Sequence, residues 1–127
     1  MKIEFHHVCI ETNSYAESIA FYRDLFGFEI LHETKDFHGR DYNTWLQQGK
    51  IIIELQTRKR NSQEQETIGN IGLMHICFSV ENLDAFILEL ERKGFTGFLD
   101  GKKKYRVMDG YLSKLRAPEG TIIELRE

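Results

Sequence analysis

Two histidines and two glutamates recur at matched places along the chain. His7 and His75 are each followed two residues later by a cysteine, and Glu54 and Glu124 each interrupt a run of isoleucine and leucine. Neutral imidazole nitrogens and carboxylate oxygens together suit zinc, nickel, iron, cobalt or manganese. The glutamates make a cation pressing, because Ile51-Ile52-Ile53-Glu54-Leu55 and Thr121-Ile122-Ile123-Glu124-Leu125 read as strands. An unpaired carboxylate buried in such a strand costs several kcal/mol, so each needs a cation, a proton or a place at the surface. Repetition joins the four into one expectation: His7, Glu54, His75 and Glu124 hold one divalent ion, with two ligands from each half. His6 points to the other side of its strand from His7 and is matched by Met74 in the second half, while His32 and His38 have no counterpart and read as surface or loop residues.

The elements that must position these residues also repeat. Phe5-His6-His7-Val8-Cys9-Ile10 aligns with Leu73-Met74-His75-Ile76-Cys77-Phe78 at an offset of 68, and the glutamate strands align at an offset of 70. Between them each half has an amphipathic segment ending in Gly-Phe. In the first, Ser14 with Glu17 marks a capped helix start, Tyr15, Ile19, Tyr22 and Phe26 form one stripe, and Gly27 stops it; the second runs from Asn82 through Leu83, Phe86, Ile87 and Leu90 to Gly94. Glu29 to Glu33 and Tyr42 to Leu46 read as strands around a turn at Phe37-His38-Gly39-Arg40, and Gly97 to Leu99 and Tyr111 to Leu115 take the same places in the second half. The expected organisation is one domain over 1–127 made of module one (1–56), a linker (57–70) and module two (71–127). A module of about 60 residues buries too little apolar surface alone, so the two are expected to pack together. The fold class is α+β: two repeated βαβββ modules whose eight strands form a curled mixed sheet, with helices outside and the metal at its centre. Strand parity places His7 with Cys9 and Glu11 on the open face, and Val8 and Ile10 under the helix.

Composition narrows the partners. Seventeen basic against twenty acidic side chains give a net charge of -3, and Lys102-Lys103-Lys104 makes only a short basic run, so nucleic acid is not expected. No stretch approaches the roughly 18 apolar residues of a membrane helix, and the opening Met-Lys-Ile-Glu-Phe-His-His has no signal-peptide character, which points to the cytoplasm. Cys9 and Cys77, without Cys-x-x-Cys spacing, read as reduced core thiols.

Phe-His-His-Val-Cys-Ile, the Ala20-Phe21-Tyr22-Arg23-Asp24-Leu25-Phe26-Gly27-Phe28 helix end, Gly72-Leu73-Met74-His75-Ile76-Cys77-Phe78-Ser79-Val80 and Ala117-Pro118-Glu119-Gly120-Thr121-Ile122-Ile123-Glu124-Leu125 resemble the vicinal oxygen chelate superfamily over nearly the whole chain. Within it the chain is similar to the small glyoxalase I proteins. The resemblance implies ligands in strands one, four, five and eight, which fall here on His7, Glu54, His75 and Glu124. It also implies a homodimer and a lactoylglutathione lyase-like reaction on the hemithioacetal of a 2-oxoaldehyde such as methylglyoxal with glutathione or another thiol. In that reaction a proton moves between adjacent carbons through an enediolate, with Glu124 as principal base, Glu54 as ligand or second acid/base, and nickel or zinc ahead of cobalt, manganese or iron as the ion. The chain departs from the family here, since no set of basic residues that would clamp glutathione carboxylates is identifiable: Arg40, Lys114 and Arg116 are candidates by location only and read equally as ordinary surface charge. Two alternatives stand beside it: an extradiol-type iron(II) dioxygenase using His7, His75 and Glu124 as a facial triad, and a non-enzymatic drug- or metabolite-binding protein with a cavity lined by Trp45, Tyr42 and Tyr111.

Overall fold

The computed structural model of the protein describes residues 1–2, 4–61, 72–107 and 110–127. The chain divides into two compact units, Met1–Gln65 and Glu66–Glu127. From residue 62 onward the expected linker lies outside the described residues. In the first unit, β1 (Val8–Thr12) leads into α1 (Tyr15–Ala20) and a wider π turn over Phe21–Leu25, followed by β2 (Glu29–Phe37), β3 (Arg40–Gln48) and β4 (Ile51–Thr57). The sheet order is β1-β4-β3-β2, with β1 parallel to β4 and the other neighbours antiparallel. In the second unit, β5 (Ile76–Ser79), α2 (Leu83–Arg92), a 3-10 turn at Leu99–Gly101, β6 (Tyr105–Val107), β7 (Gly110–Arg116) and β8 (Ile122–Arg126) form a sheet of order β5-β8-β7-β6 with the same strand senses. The α+β class and the repeated βαβββ module are therefore both present, as two mixed four-stranded sheets among the described residues. No helix among these residues is long and apolar enough to cross a membrane.

Each helix ends where its Gly-Phe pair predicts. Gly94 (φ +82) lets the Gly94 amide reach Glu91 O and the Phe95 amide reach Leu90 O, at 2.9 and 3.0 Å, satisfying the last carbonyls of α2. Gly27 (φ +73) does the same after the π turn, which widens the closing Phe28-to-Tyr22 bond by one residue. The starts differ. Asn82 caps α2 with its side chain, accepting from the Ala85 amide at 2.8 Å. Ser14, the expected cap of α1, makes no side-chain cap bond. Instead Thr12, almost fully buried, accepts from the Ser14 amide at 2.9 Å and meets the Ser18 hydroxyl at 2.8 Å.

The expected β2–β3 hairpin extends further than its apolar pattern, because His38 (φ +48) and Gly39 (φ +80) form a two-residue turn with the strands' own twist. In module two the expected Gly97–Leu99 strand is replaced. Phe98 makes only an isolated bridge to Leu115, the chain turns through Asp100 (φ +54) and Gly101, and the edge strand forms later, with Tyr105 opposite Leu112. Gly97 stays bonded to β7, its carbonyl accepting from the Arg116 amide at 2.9 Å, in a place where a Cβ would stand 2.7 Å from the Phe95 ring.

In each sheet one face packs under the helix. Tyr22, Phe28, Leu46, Ile53 and Leu55 are essentially solvent-free in the first unit, as are Leu90, Leu115, Ile123 and Leu125 in the second. Tyr15 closes the helix side of module one: its ring stacks on Tyr42 at 4.3 Å, and its hydroxyl donates to Glu33 and meets Thr44 Oγ1 at 2.6 Å. Burial, followed by the Glu33 bond, pushes its pKa from 10.0 up to about 12. A phenol that ionises later in the folded state than in the unfolded one contributes stability below pH 10 that is lost as pH rises toward 12. Urea denaturation across that window is expected to show a decline in stability that is shallower in Tyr15→Phe; equal slopes in the two proteins would contradict this assignment.

Candidate metal centre

The strands that carry Glu54 and Glu124 put alternate residues on opposite faces. Ile53, Leu55, Ile123 and Leu125 fill the cores, and the two glutamates between them emerge on the open faces, 15% and 12% exposed as side chains. Parallel pairing then sets Cys9 opposite Glu54 and Cys77 opposite Glu124, and the histidine two residues before each cysteine lies just ahead of its strand on the same face. His7 Nε2 lies 3.6 Å from Glu54 Oε1, and His75 Nε2 lies 3.2 Å from Glu124 Oε2. Each unit thus brings one imidazole and one carboxylate face to face, donor atom toward donor atom.

Two lone pairs that close repel unless something positive stands between them, either a proton on the imidazole or a cation. Ligands bound at about 2.0–2.2 Å to one tetrahedral or octahedral ion are themselves roughly 3.0–3.4 Å apart. Both observed separations sit at or near that spacing, so the donor types and their distances fit a divalent metal. Among the described residues no three His, Cys, Asp or Glu side chains converge on a common point; what each unit supplies is a pair.

The surroundings of the two pairs differ. Antiparallel register places Trp45 across from Glu54, and its ring packs edge-on against His7 with centroids 4.6 Å apart. Asn43 donates to Glu54 Oε2 at 3.3 Å and itself accepts from Gln56 at 2.7 Å, a chain of neutral amides. His6 Nδ1 stands 2.8 Å from His7 Nδ1, so one of those rings carries the shared proton; when His7 carries it, its Nε2 keeps a lone pair for a metal. In module two the position equivalent to Trp45 is Lys114, across from Glu124, with its ammonium 3.7 Å from Glu124 Oε1 and 5.4 Å from the centre of the Tyr105 ring.

Several expectations need correction. Cys9 and Cys77 are free, as read from the sequence, but exposed and on the glutamate faces rather than in the cores. Partial burial of the thiol and then the neighbouring Glu54 carboxylate raise the Cys9 pKa from 9.0 to about 12, and burial followed by Glu124 raises that of Cys77. Arg40 is committed elsewhere, to Glu11 at 2.9 Å and to the Thr57 carbonyl at 2.7 Å. Trp45, Tyr42 and Tyr111 do not share a kind of face: Trp45 lies on the glutamate side of its sheet, whereas Tyr42 and Tyr111 alternate with it and with Lys114 onto the helix sides. His32 and His38 are exposed, His38 in the hairpin turn. Asn43 and Gln56 escape a search for ligand types, although the two-residue turn Gly49-Lys50 fixes their register with Glu54 and carried the signal.

Residues 4–125 match the family model described as Glyoxalase/Bleomycin resistance protein/Dioxygenase superfamily. The chain is 33% identical over 90 residues, 70% of each protein, to the uncharacterized protein YwkD of Bacillus subtilis. The structure resembles that of a glyoxalase family protein from Enterococcus faecalis, with TM-score 0.80, 27% identity, and 98% of this chain and 97% of that one covered. More distant in sequence are a lactoylglutathione lyase from Agrobacterium tumefaciens (TM-score 0.68, 19% identity, 96% and 91% covered) and a fosfomycin resistance protein, FosX, from Listeria monocytogenes complexed with Mn(II) (0.72, 18%, 98% and 92%); both likenesses are of fold alone.

Removing the Glu54 charge is expected to lower the Cys9 pKa and raise its thiolate fraction at pH 8.5, so Glu54→Gln should alkylate severalfold faster at Cys9 with Cys77 unchanged, as read by peptide mass spectrometry of iodoacetamide-treated, chelator-washed protein. Identical Cys9 rates in the two proteins would count against the Glu54 contact.

Proposed function

Because the chain belongs to the Glyoxalase/Bleomycin resistance protein/Dioxygenase superfamily, we propose that it is a metal-dependent glyoxalase I-like lyase in which His7, Glu54, His75 and Glu124 together hold one divalent ion. The observation that carries this reading is the repeated imidazole–carboxylate pair, at 3.6 and 3.2 Å, on the open face of each sheet. The superfamily match, whose description joins glyoxalases with bleomycin resistance proteins and dioxygenases, supports a reaction of the glyoxalase type among those classes. When bound, the ion supplies Lewis-acid polarisation of the two neighbouring oxygens of a hemithioacetal.

The chain's own residues do the rest. Glu124, little exposed and backed by His75, takes the proton from the carbon that bears the sulfur. The proton is returned to the adjacent carbon and the hydroxyl proton changes oxygen, so a hydroxyketone thiohemiacetal becomes a 2-hydroxy thioester with no net oxidation. Glu54 serves as ligand and second acid/base, its other oxygen steadied by Asn43. Trp45 packs on His7 and restricts its ring to the orientation that faces Glu54.

The test is a thioester absorbance assay with methylglyoxal and a panel of thiols after reloading the protein with nickel, zinc, cobalt or manganese. At least one metal and thiol is expected to give turnover, and Glu124→Gln is expected to lose roughly 100- to 10,000-fold in kcat. Full turnover in Glu124→Gln, or none in the wild type with any metal, would overturn the reading.

A further inference from the structure

The repeat also invites comparison of the helix sides of the two sheets. In module one the first residue of α1, Tyr15, lays its ring flat on Tyr42, with centroids 4.3 Å apart and planes 5° from parallel, and its hydroxyl meets Thr44 Oγ1 at 2.6 Å. Register fixes the equivalents in module two. Thr44 is opposite Leu55 and Ser113 is opposite Leu125, so Ser113 takes the place of Thr44, and Tyr111, two residues earlier on the same face, takes that of Tyr42. The first residue of α2 is Leu83, at the same offset of 68 from Tyr15 that relates His75 to His7. Module two thus keeps the stacking surface and the hydroxyl but has replaced the ring that covers them.

Both groups show the loss. Tyr111 is half exposed and lines, with Leu83, a cleft of about 410 Å³, against about 290 Å³ for the corresponding cleft beside Tyr15 and Tyr42. Such a volume is in the range that small ligands fill. Ser113 is fully buried, and its hydroxyl has no hydrogen-bond partner among the described residues, an arrangement that costs free energy until a partner arrives. Where module one stacks a ring, the Lys104 ammonium rests 4.5 Å from the centre of Tyr111, paired at 2.9 Å with the exposed Asp84. A surface pair of this kind contributes little, so the long lysine side chain swings aside readily. The wall opposite is fixed: Glu127 Oε1 accepts from the Leu83 amide at 2.9 Å and ties the start of α2 to the end of β8.

We propose that this helix-side cleft of module two binds a small molecule of the phenol class, a planar aromatic ring bearing a hydroxyl, which stacks on Tyr111 beside Leu83 and shares a hydrogen bond with Ser113. The chain's own Tyr15 is the template for the ligand. The site lies on the other side of the sheet from Lys114 and Glu124, so it goes beyond the metal reading and does not depend on it.

The probe is p-cresol, the free side chain of tyrosine, titrated into isotope-labelled, chelator-washed full-length protein and followed by amide NMR shifts. Wild type is expected to saturate at one p-cresol per chain, with the largest shifts at Leu83, Tyr111 and Ser113 and none at Tyr15 and Tyr42, where the chain's own ring fills the place. Leu83→Tyr, which restores the arrangement of module one, is expected to abolish binding. Ser113→Ala is expected to weaken p-cresol roughly fivefold, the effect of one neutral hydrogen bond, and to leave the binding of toluene, which has no hydroxyl, unchanged. Circular dichroism confirms that each variant is folded. Shifts that grow without saturating or that centre on His75 and Glu124, binding in Leu83→Tyr equal to wild type, or an equal loss of p-cresol and toluene in Ser113→Ala would overturn the proposal.

Discussion

An imidazole nitrogen held against a carboxylate oxygen, on a strand whose neighbouring positions are sealed in a core, is the constraint around which each module is arranged. Glu54 cannot turn inward, since Ile53 and Leu55 already fill the helix side without any solvent exposure, and the same holds for Glu124 between Ile123 and Leu125. The parallel first strand of each module then sets the histidine: shifting β1 or β5 by one residue would send it to the opposite face along with every core side chain. Core packing thus enforces the pairing at no separate cost, because the register that buries Ile10 and Phe78 is the one that presents His7 and His75.

Duplication preserved that pairing and let the surroundings diverge. Glu54 sits in a neutral setting of amides and an indole, with Cys9 held protonated beside it; Glu124 sits with an ammonium nearby. In a reaction that moves a proton between adjacent carbons, two carboxylates in unlike electrostatic settings suit unlike roles, one accepting and one returning the proton. Divergence at Trp45/Lys114, Gln47/Arg116 and Gln56/Arg126 gives the glutamate faces of the two sheets different charge.

Much of this was legible in the sequence because the repeat supplied an internal control. The glutamates stand out against isoleucine and leucine, the Gly-Phe pairs mark both helix ends, and the recurrence of His-x-Cys singles out His7 and His75 from the other histidines. The parts that escaped depend on tertiary context. Thr12 takes over the entry to α1 from Ser14 because it is buried beside Ser18. The edge strand of module two forms only at Tyr105–Val107, after a turn through Asp100 and Gly101 with positive φ that the apolar pattern does not mark. Partners of Glu54 follow from a two-residue turn, whereas the longer Ala117–Thr121 connection leaves the pairing of Lys114 with Glu124 undetermined by loop length alone. The cysteines read as core residues from their type; their parity with the glutamates overrides it.

The central claim is that both imidazole–carboxylate pairs serve one ion. Metal stoichiometry and affinity, measured by equilibrium dialysis with elemental analysis on the wild type, His7→Ala and His75→Ala, test it most directly. One divalent ion per chain, with affinity falling by orders of magnitude in either variant, is the predicted result. Two ions per chain, or an affinity untouched by the loss of one histidine, would contradict it.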